Sequence, residues 1–277
     1  MAVLTGARTR IELQPPPLAQ RGILQTARVI PVTGHQLLGV EAVIDWCGVW
    51  AEQWAGTWCA TPQAQCPAVV SQTATPKTFE DRTGTVEGDP IVIFAGSDCP
   101  TDTLQERQDK AERALTYGES ARLDIALQEW LDAEWTANGG TTPHAFDSIE
   151  CGIGAMDAFI AGAYSGRGVI WLPLPLAAAA YGKGVCYREL DGGLVSPGDN
   201  HVAVVLTPQP IDQATAYEAW ATGAVTLLQG PVESHSVPPM IAKDGTCAPA
   251  RALAERVYVP IVECIIEKFT LTCPVTP

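Results

Sequence analysis

The sequence lacks the marks of most catalytic and cofactor-binding chains. There is no G-x-G-x-x-G or G-x-x-x-x-G-K-[ST] to cradle a phosphate, no H-E-x-x-H to hold a metal, and no G-x-S-x-G to raise a nucleophilic serine. Histidine is scarce: His35, His144, His201 and His235 stand in no metal-like spacing with the cysteines, and no C-x-x-C occurs. No apolar run approaches the roughly eighteen residues of a membrane-spanning helix. Met1 to Arg10 shows no apolar segment with a small-residue cleavage site, so a soluble chain made in a cytosol is expected, with no membrane partner. Positive charge is short as well, 17 Lys and Arg against 31 Asp and Glu, for a formal charge of −14. Such an acidic body disfavours a tight wrap around nucleic acid, which needs cations to displace counterions from phosphate. The exception is the first forty residues, where Arg8, Arg10, Arg21 and Arg28 face only Glu12.

What is present is a long helix. From Thr103 to Trp135 the chain has no proline, one glycine (Gly118) and apolar residues at helical spacing. Thr103 and Glu106 have the S/T-x-x-E spacing of a capping box. Ala111, Ala114, Leu115, Gly118, Ala121, Ile125 and Ala126 follow one face, and Leu123, Leu127, Trp130 and Leu131 broaden it. At 1.5 Å per residue such a helix spans about 45–50 Å, the width of a domain.

The flanks place that helix. Residues 1–40 lack periodicity and carry Pro15 to Pro17, which reads as an arm. In residues 40–60, Trp46, Trp50, Trp54 and Trp58 recur every four residues among β-prone neighbours; they seek a large apolar surface, within the chain or on another subunit. Residues 66–88 are polar and aperiodic, an excursion from the body that the buried strand of residues 89–96 brings back. After a break at 138–143, Asp147 or Ser148 caps a second helix, residues 168–172 form a buried strand, and Pro175 opens a short helix ended by Gly182. Further strands are predicted at 202–206, two within 217–228 turning near Thr222 and Gly223, and a last pair within 252–271, where Pro260 marks a bulge or an edge. Of the nine cysteines, either most are buried free thiols or some pair after release into an oxidising medium, Cys59 with Cys66 or Cys264 with Cys273 being near in sequence; with no activating histidine in sequence view, Cys264 reads as a core thiol and not as a reactive one. Catalytic residues are not expected. Gly198–His201 spells GDNH without a nucleophile at its third position, and pairs such as Asp147 with Glu150 or Glu255 with Glu267 arise by chance in a chain with 31 acids.

Taken in order, these elements give an α+β chain that resembles the HK97-fold major capsid proteins of tailed bacteriophages, in the short form found among actinobacteriophages. The resemblance rests on PKTFED (residues 76–81) with DPIVIFAGSDC (89–99), on ERALTYGESARLDIALQEW in the long helix, on GRGVIWLPLPLAAAAYG, and on EAWATGAVTLLQGPVE and ALAERVYVPIVEC with Glu255 and Arg256 side by side. It covers residues 76 to 271 and rests on order more than on any one motif. It implies an N-terminal arm (1–40), an extended β-loop region (41–98), a peripheral domain with the spine helix (99–140 and 247–277) and an α/β axial domain (141–246). No enzymatic activity, no cofactor and no metal are expected, since the sequence carries no motif for any of them. The expected partners are copies of the chain, as hexamers and pentamers of an icosahedral shell around double-stranded DNA touched only non-specifically, with separate scaffolding, portal and decoration proteins as further candidates. The shell would assemble in the bacterial cytoplasm and persist as the virion capsid. Intersubunit contacts are expected from Trp50, Trp54, Trp58, Lys77, Phe79, Arg8 and Arg10. No scaffolding segment of the family's kind is expected before the arm, so scaffolding would come separately or be dispensable. With only Asn138 and Asn200 as asparagines, neither in the closing strands, Lys77 is expected to form no covalent bond between subunits. Other virion parts, an encapsulin-like shell, or an unrecognised α/β enzyme are the competing readings.

Overall fold

The long helix decides the architecture, because its two halves pack on two different sheets. In the computed structural model, which describes residues 22–44, 84–98, 102–164, 166–188, 194–196, 202–208, 216–237, 240–241, 247–248 and 251–272, the chain opens with α1 (Ile23–Thr26), β1 (Arg28–Pro31) and a 3-10 turn (Gly34–Leu38). β2 (Val40–Ile44), β3 (Gly84–Gly88), β4 (Ile91–Ser97) and the long helix α2 (Leu104–Ala137) follow. Next come β5 (His144–Phe146), α3 (Ile149–Ala163), β6 (Val169–Pro173), α4 (Leu174–Gly182), β7 (Tyr187–Arg188), β8 (Leu194–Val195) and β9 (Ala203–Thr207). The remaining strands are β10 (Ala216–Thr222), β11 (Val225–Gln229), β12 (Glu233–Val237), β13 (Met240–Ile241), β14 (Cys247–Ala248), β15 (Arg251–Val262) and β16 (Ile266–Thr272).

The predicted capping box is present: the Glu106 amide donates to Thr103 Oγ1 at 3.3 Å, and the Thr103 amide donates to Glu106 Oε2 at 2.7 Å. The buried stripe differs from the one expected. It runs Arg107, Ala111, Leu115, Glu119, Leu123, Leu127, Leu131 and Trp135, joined by Asp124, while Ala114 is exposed. A spacing of four advances the stripe by about 40° per step on a helix of 3.6 residues per turn. It therefore winds around the rod, and the N-terminal half buries one face and the C-terminal half another. Three charged residues, Arg107, Glu119 and Asp124, are buried in consequence.

The N-terminal half lies on a five-stranded sheet built around β15. β4 pairs with β15 on one side, and β11 and β12 pair with it in succession on the other, with β1 outside β11. The strand expected to be buried on both faces, β4, turns only one face inward: Ile93 is buried, whereas Val92 and Phe94 are 47% and 67% exposed. Pro260 does not interrupt β15. It pairs with Leu227 on one side, and on the other it stands beyond the end of the β4 ladder at Tyr258–Ile91, so no ladder partner from β4 is lost there.

The C-terminal half meets a seven-stranded sheet in the order β5-β16-β10-β6-β9-β8-β7. Strand alternation distributes its side chains between two cores. Val169, Trp171, Val205 and Trp220 join Leu131 and Trp135 of α2, whereas Ile170, Leu172, Val204, Ala219 and Ala221 join Ile153, Met156 and Ile160 of α3. β6 is buried at all five positions because helices cover both faces.

Two boundaries differ from those expected. The stretch 1–40 is not all arm: β1 pairs in parallel with β11, and Ile23 is fully buried. The sheets also exchange strands. β10 and β11 are consecutive yet lie in different sheets, as do β15 and β16, so 225–237 belongs with the five-stranded sheet and 266–272 with the seven-stranded one.

Candidate assembly surface

Two features of the body bear on function: the joint between the sheets and the surface they leave open. At the joint, the β10–β11 and β15–β16 crossings lie side by side. The Gly223 amide donates to the Ile265 carbonyl at 3.1 Å, and the Glu263 amide donates to the Ala224 carbonyl at 3.0 Å. The approach is so close that a Cβ at Gly223 would stand 1.9 Å from the Glu263 carbonyl oxygen. Tyr164, the C-cap of α3, donates its hydroxyl to Glu263 Oε2 at 2.6 Å, and burial together with that carboxylate drives its pKa well above the ordinary tyrosine range. Cys264, in the left-handed region at φ 61°, is disulfide-bonded, so a core thiol is not its state; Cys151 and Cys186 are free.

Polar anchors fix the rod to both sheets. Arg256 of β15 donates through Nη1 to Glu119 Oε2 at 3.0 Å, and Gln229 of β11 donates to the Tyr258 hydroxyl at 2.8 Å beside them. Asp124 accepts from the Ile23 amide at 2.9 Å, tying α1 to the helix. Near the C-terminal end, Lys268 of β16 donates to Asp132 Oδ1 at 2.6 Å, pairs with Glu218 at 2.8 Å, and lies over the rings of Trp220 and Trp135. Burial opposes its charge, but the two carboxylates outweigh burial and its pKa is raised. Trp135 and Trp220 meet edge to face at 6.3 Å, and the indole of Trp135 donates to Glu267 at 3.2 Å.

The open surface is the face of the five-stranded sheet turned away from α2. Strand alternation places Val92 and Phe94 of β4 and Leu253, Glu255 and Val257 of β15 on it, with Glu233 and His235 of β12 beyond. β2 and β3 form a separate antiparallel ribbon, from Val40–Gly88 to Ile44–Gly84, that belongs to neither large sheet. Gly88 at its base lies against β15, where a Cβ would meet the Pro260 carbonyl oxygen at 2.5 Å.

No catalytic arrangement is formed among the described residues. Glu150 helps Ser148 begin α3 and pairs with Lys183, Glu267 serves Trp135, and Glu255 lies in the other sheet. The open cleft beside β1, lined by Pro31, Thr33, Gln229, Pro231 and Arg256, holds no nucleophile next to a base. No helix is long and apolar enough to cross a membrane among the described residues. The expected contacts Arg8, Arg10, Trp50, Trp54, Trp58, Lys77 and Phe79 lie outside the described residues, as does the GDNH block. Sequence reasoning missed Glu119 and Asp124. For Glu119 a signal existed: it interrupts a four-spaced apolar series from Ala111 to Trp135.

No family model matches this chain, and no curated protein matches it. Among solved structures it is similar to a chain of the cyanophage Pam1 capsid asymmetric unit, at 10% identity and a TM-score of 0.48 with 98% of each chain covered. It is similar to a chain of Microbacterium phage Oxtober96, at 11% identity and a TM-score of 0.47, covering 97% of this chain and 96% of that one. It is also similar to an encapsulin complex chain from Synechococcus elongatus, at 9% identity and a TM-score of 0.44, covering 96% and 92%.

Proposed function

We propose that this chain is the HK97-type major capsid protein of a tailed bacteriophage, a structural subunit that assembles with copies of itself into hexamers and pentamers of an icosahedral shell around double-stranded DNA. The observation that carries this reading is one body in which a 34-residue helix bridges two strand-exchanged sheets while the β2–β3 ribbon stands outside both. A ribbon of two strands has no core of its own and is marginal alone in water. A neighbouring subunit supplies the apolar surface it lacks, and residues 45–83, which join its two strands, carry Trp50, Trp54, Trp58, Lys77 and Phe79 to that contact. Arg8 and Arg10 serve the acidic surface of an adjacent copy. The acidic body suits a wall around DNA because like charge keeps the genome from adhering. Scaffolding, portal and decoration proteins act as separate partners.

Negative-stain microscopy of the purified chain tests the reading. Uniform closed shells or capsomer rings are expected; dispersed small monomers at assembly concentrations would overturn it.

A further inference from the structure

The expectation of no metal site came from residue spacing in the sequence, and it left out what strand pairing brings together. β12 reads Glu-Ser-His-Ser-Val, so Glu233 and His235 share one face of the strand. In the antiparallel register Glu233 stands directly opposite Glu255 of β15, and His235 is diagonal to Glu255 on the same face. His235 Nε2 lies 3.3 Å from Glu255 Oε1 and 3.7 Å from Glu233 Oε2, and the three ligand atoms all fall within 4.8 Å of one another. The side chains are reachable from solvent, with Glu233 59% and His235 51% exposed, and Glu255 is 29% exposed.

Like charges directly opposite across two strands are destabilising unless a cation lies between them. Among the described residues, His235 is the basic group within ion-pair reach of either carboxylate, and no lysine or arginine pairs with them. The spacing also suits a metal. Imidazole nitrogen and carboxylate oxygen bind zinc at about 2.0–2.2 Å, which in a tetrahedral site sets ligand atoms roughly 3.3–3.6 Å apart.

From this geometry we infer that Glu233, His235 and Glu255 form a binding site for one divalent transition-metal ion of the zinc or manganese class, with solvent completing its coordination. One nitrogen and two oxygen ligands exclude the soft, thiolate-seeking ions and suit the borderline divalent ones. The ion would neutralise the facing carboxylates and clip β12 to the central strand β15.

The test is isothermal titration of the EDTA-stripped full chain with Zn2+ and, separately, Mn2+, which does not seek the exposed thiol of Cys151. One saturable site per chain is expected at micromolar ion. His235→Ala should weaken it at least about 30-fold, and Glu233→Gln or Glu255→Gln at least about 10-fold, since even an outer-shell partner of a ligand is worth about 10–100-fold in affinity. A second measurement is the melting temperature: Mn2+ should raise that of the wild type and leave that of His235→Ala unchanged. Metal-free Glu233→Gln should melt above metal-free wild type, because it removes the opposed charge. Absence of saturable binding up to 100-fold above that range, or binding that survives His235→Ala intact, would overturn the assignment. Because all three side chains are on the surface, circular dichroism of each variant should match the wild type.

Discussion

The ion pair between Glu119 and Arg256 is where the fold can be tested most sharply, because its two partners are expected to be expendable together and not separately. The Glu119 side chain is 10% exposed and that of Arg256 23%. A contact at 3.0 Å joins them, and among the described residues Glu119 Oε1 and Arg256 Nε have no hydrogen-bond partner. At about 4 Å and an effective dielectric near 20, two unit charges attract by about 4 kcal/mol. Desolvation opposes most of that gain, since each buried ion loses several kcal/mol of hydration. The pair as a whole therefore contributes little, but removing one member strands the other. Breaking a fully buried pair costs about 3–5 kcal/mol. With Arg256 partly in solvent, Arg256→Met should cost about 2–3 kcal/mol on that scale, and Glu119→Leu a similar amount. The double variant should lie within about 1 kcal/mol of wild type, since apolar side chains of similar volume replace a pair at little cost. Guanidinium unfolding of unassembled chains, followed by the fluorescence of the buried Trp171 and Trp220, gives all four corners of the cycle. If Arg256→Met lost under 0.5 kcal/mol, or the two losses simply added, the pair would not be what seats the helix on β15.

Other outcomes follow from the same contacts. Gly223→Ala should prevent folding into a soluble chain, because its Cβ would meet the Glu263 backbone at 1.9 Å where neither crossing can yield; soluble protein with wild-type melting would refute the tight joint. Asp124→Ala should destabilise by about 1–3 kcal/mol through the orphaned Ile23 amide, and hydrogen exchange should locate the loss in 22–31 before elsewhere. Leu123→Ala, at a fully buried position, should cost about 2–5 kcal/mol in the same unfolding assay. Glu150 is held at about 2, below its ordinary 4.5, first by Lys183 and then by the α3 N-terminus and Ser148. A depressed carboxylate stabilises the fold above its unfolded pKa and loses that contribution as pH falls toward the folded one. The melting difference between wild type and Glu150→Gln should therefore be present at pH 7 and fade between about pH 4.5 and 2; a constant difference across that range would refute the pairing.

Local structure was legible and long-range pairing was not, and the reason is visible at single residues. Thr103 with Glu106, Ser148, and Pro175 opening α4 are signals confined to one turn, and each has its expected role. The run Val169 to Leu172 is apolar because both its faces are covered, which periodicity alone reveals. Thr222 and Gly223 look locally like a hairpin turn, yet the strands they join go to different sheets. Nothing within the turn encodes that choice; β16 and β6 on one side and β15 on the other decide it. Glu233 and Glu255 were unreadable as a pair for the same reason, since their opposition depends on the β12–β15 register, which neither strand shows alone. Glu119 was half-readable, an acid within an apolar series whose partner sits 137 residues away.

The strand exchange also constrains what the chain can do in the proposed assembly. Two sheets joined by one linker can swing about it, but here two adjacent crossings are hydrogen-bonded to each other, and α2 is anchored on both sides of them by Arg256 and Lys268. A change of angle between the sheets would have to break the Gly223–Ile265 and Glu263–Ala224 bonds and shift a buried Trp135–Trp220 contact together. Close-packed interiors change between discrete arrangements instead of bending smoothly. The body is therefore suited to act as a rigid tile. In the proposed shell, differences in curvature between neighbouring copies would then be absorbed outside it, in segments such as the β2–β3 ribbon that belong to neither sheet.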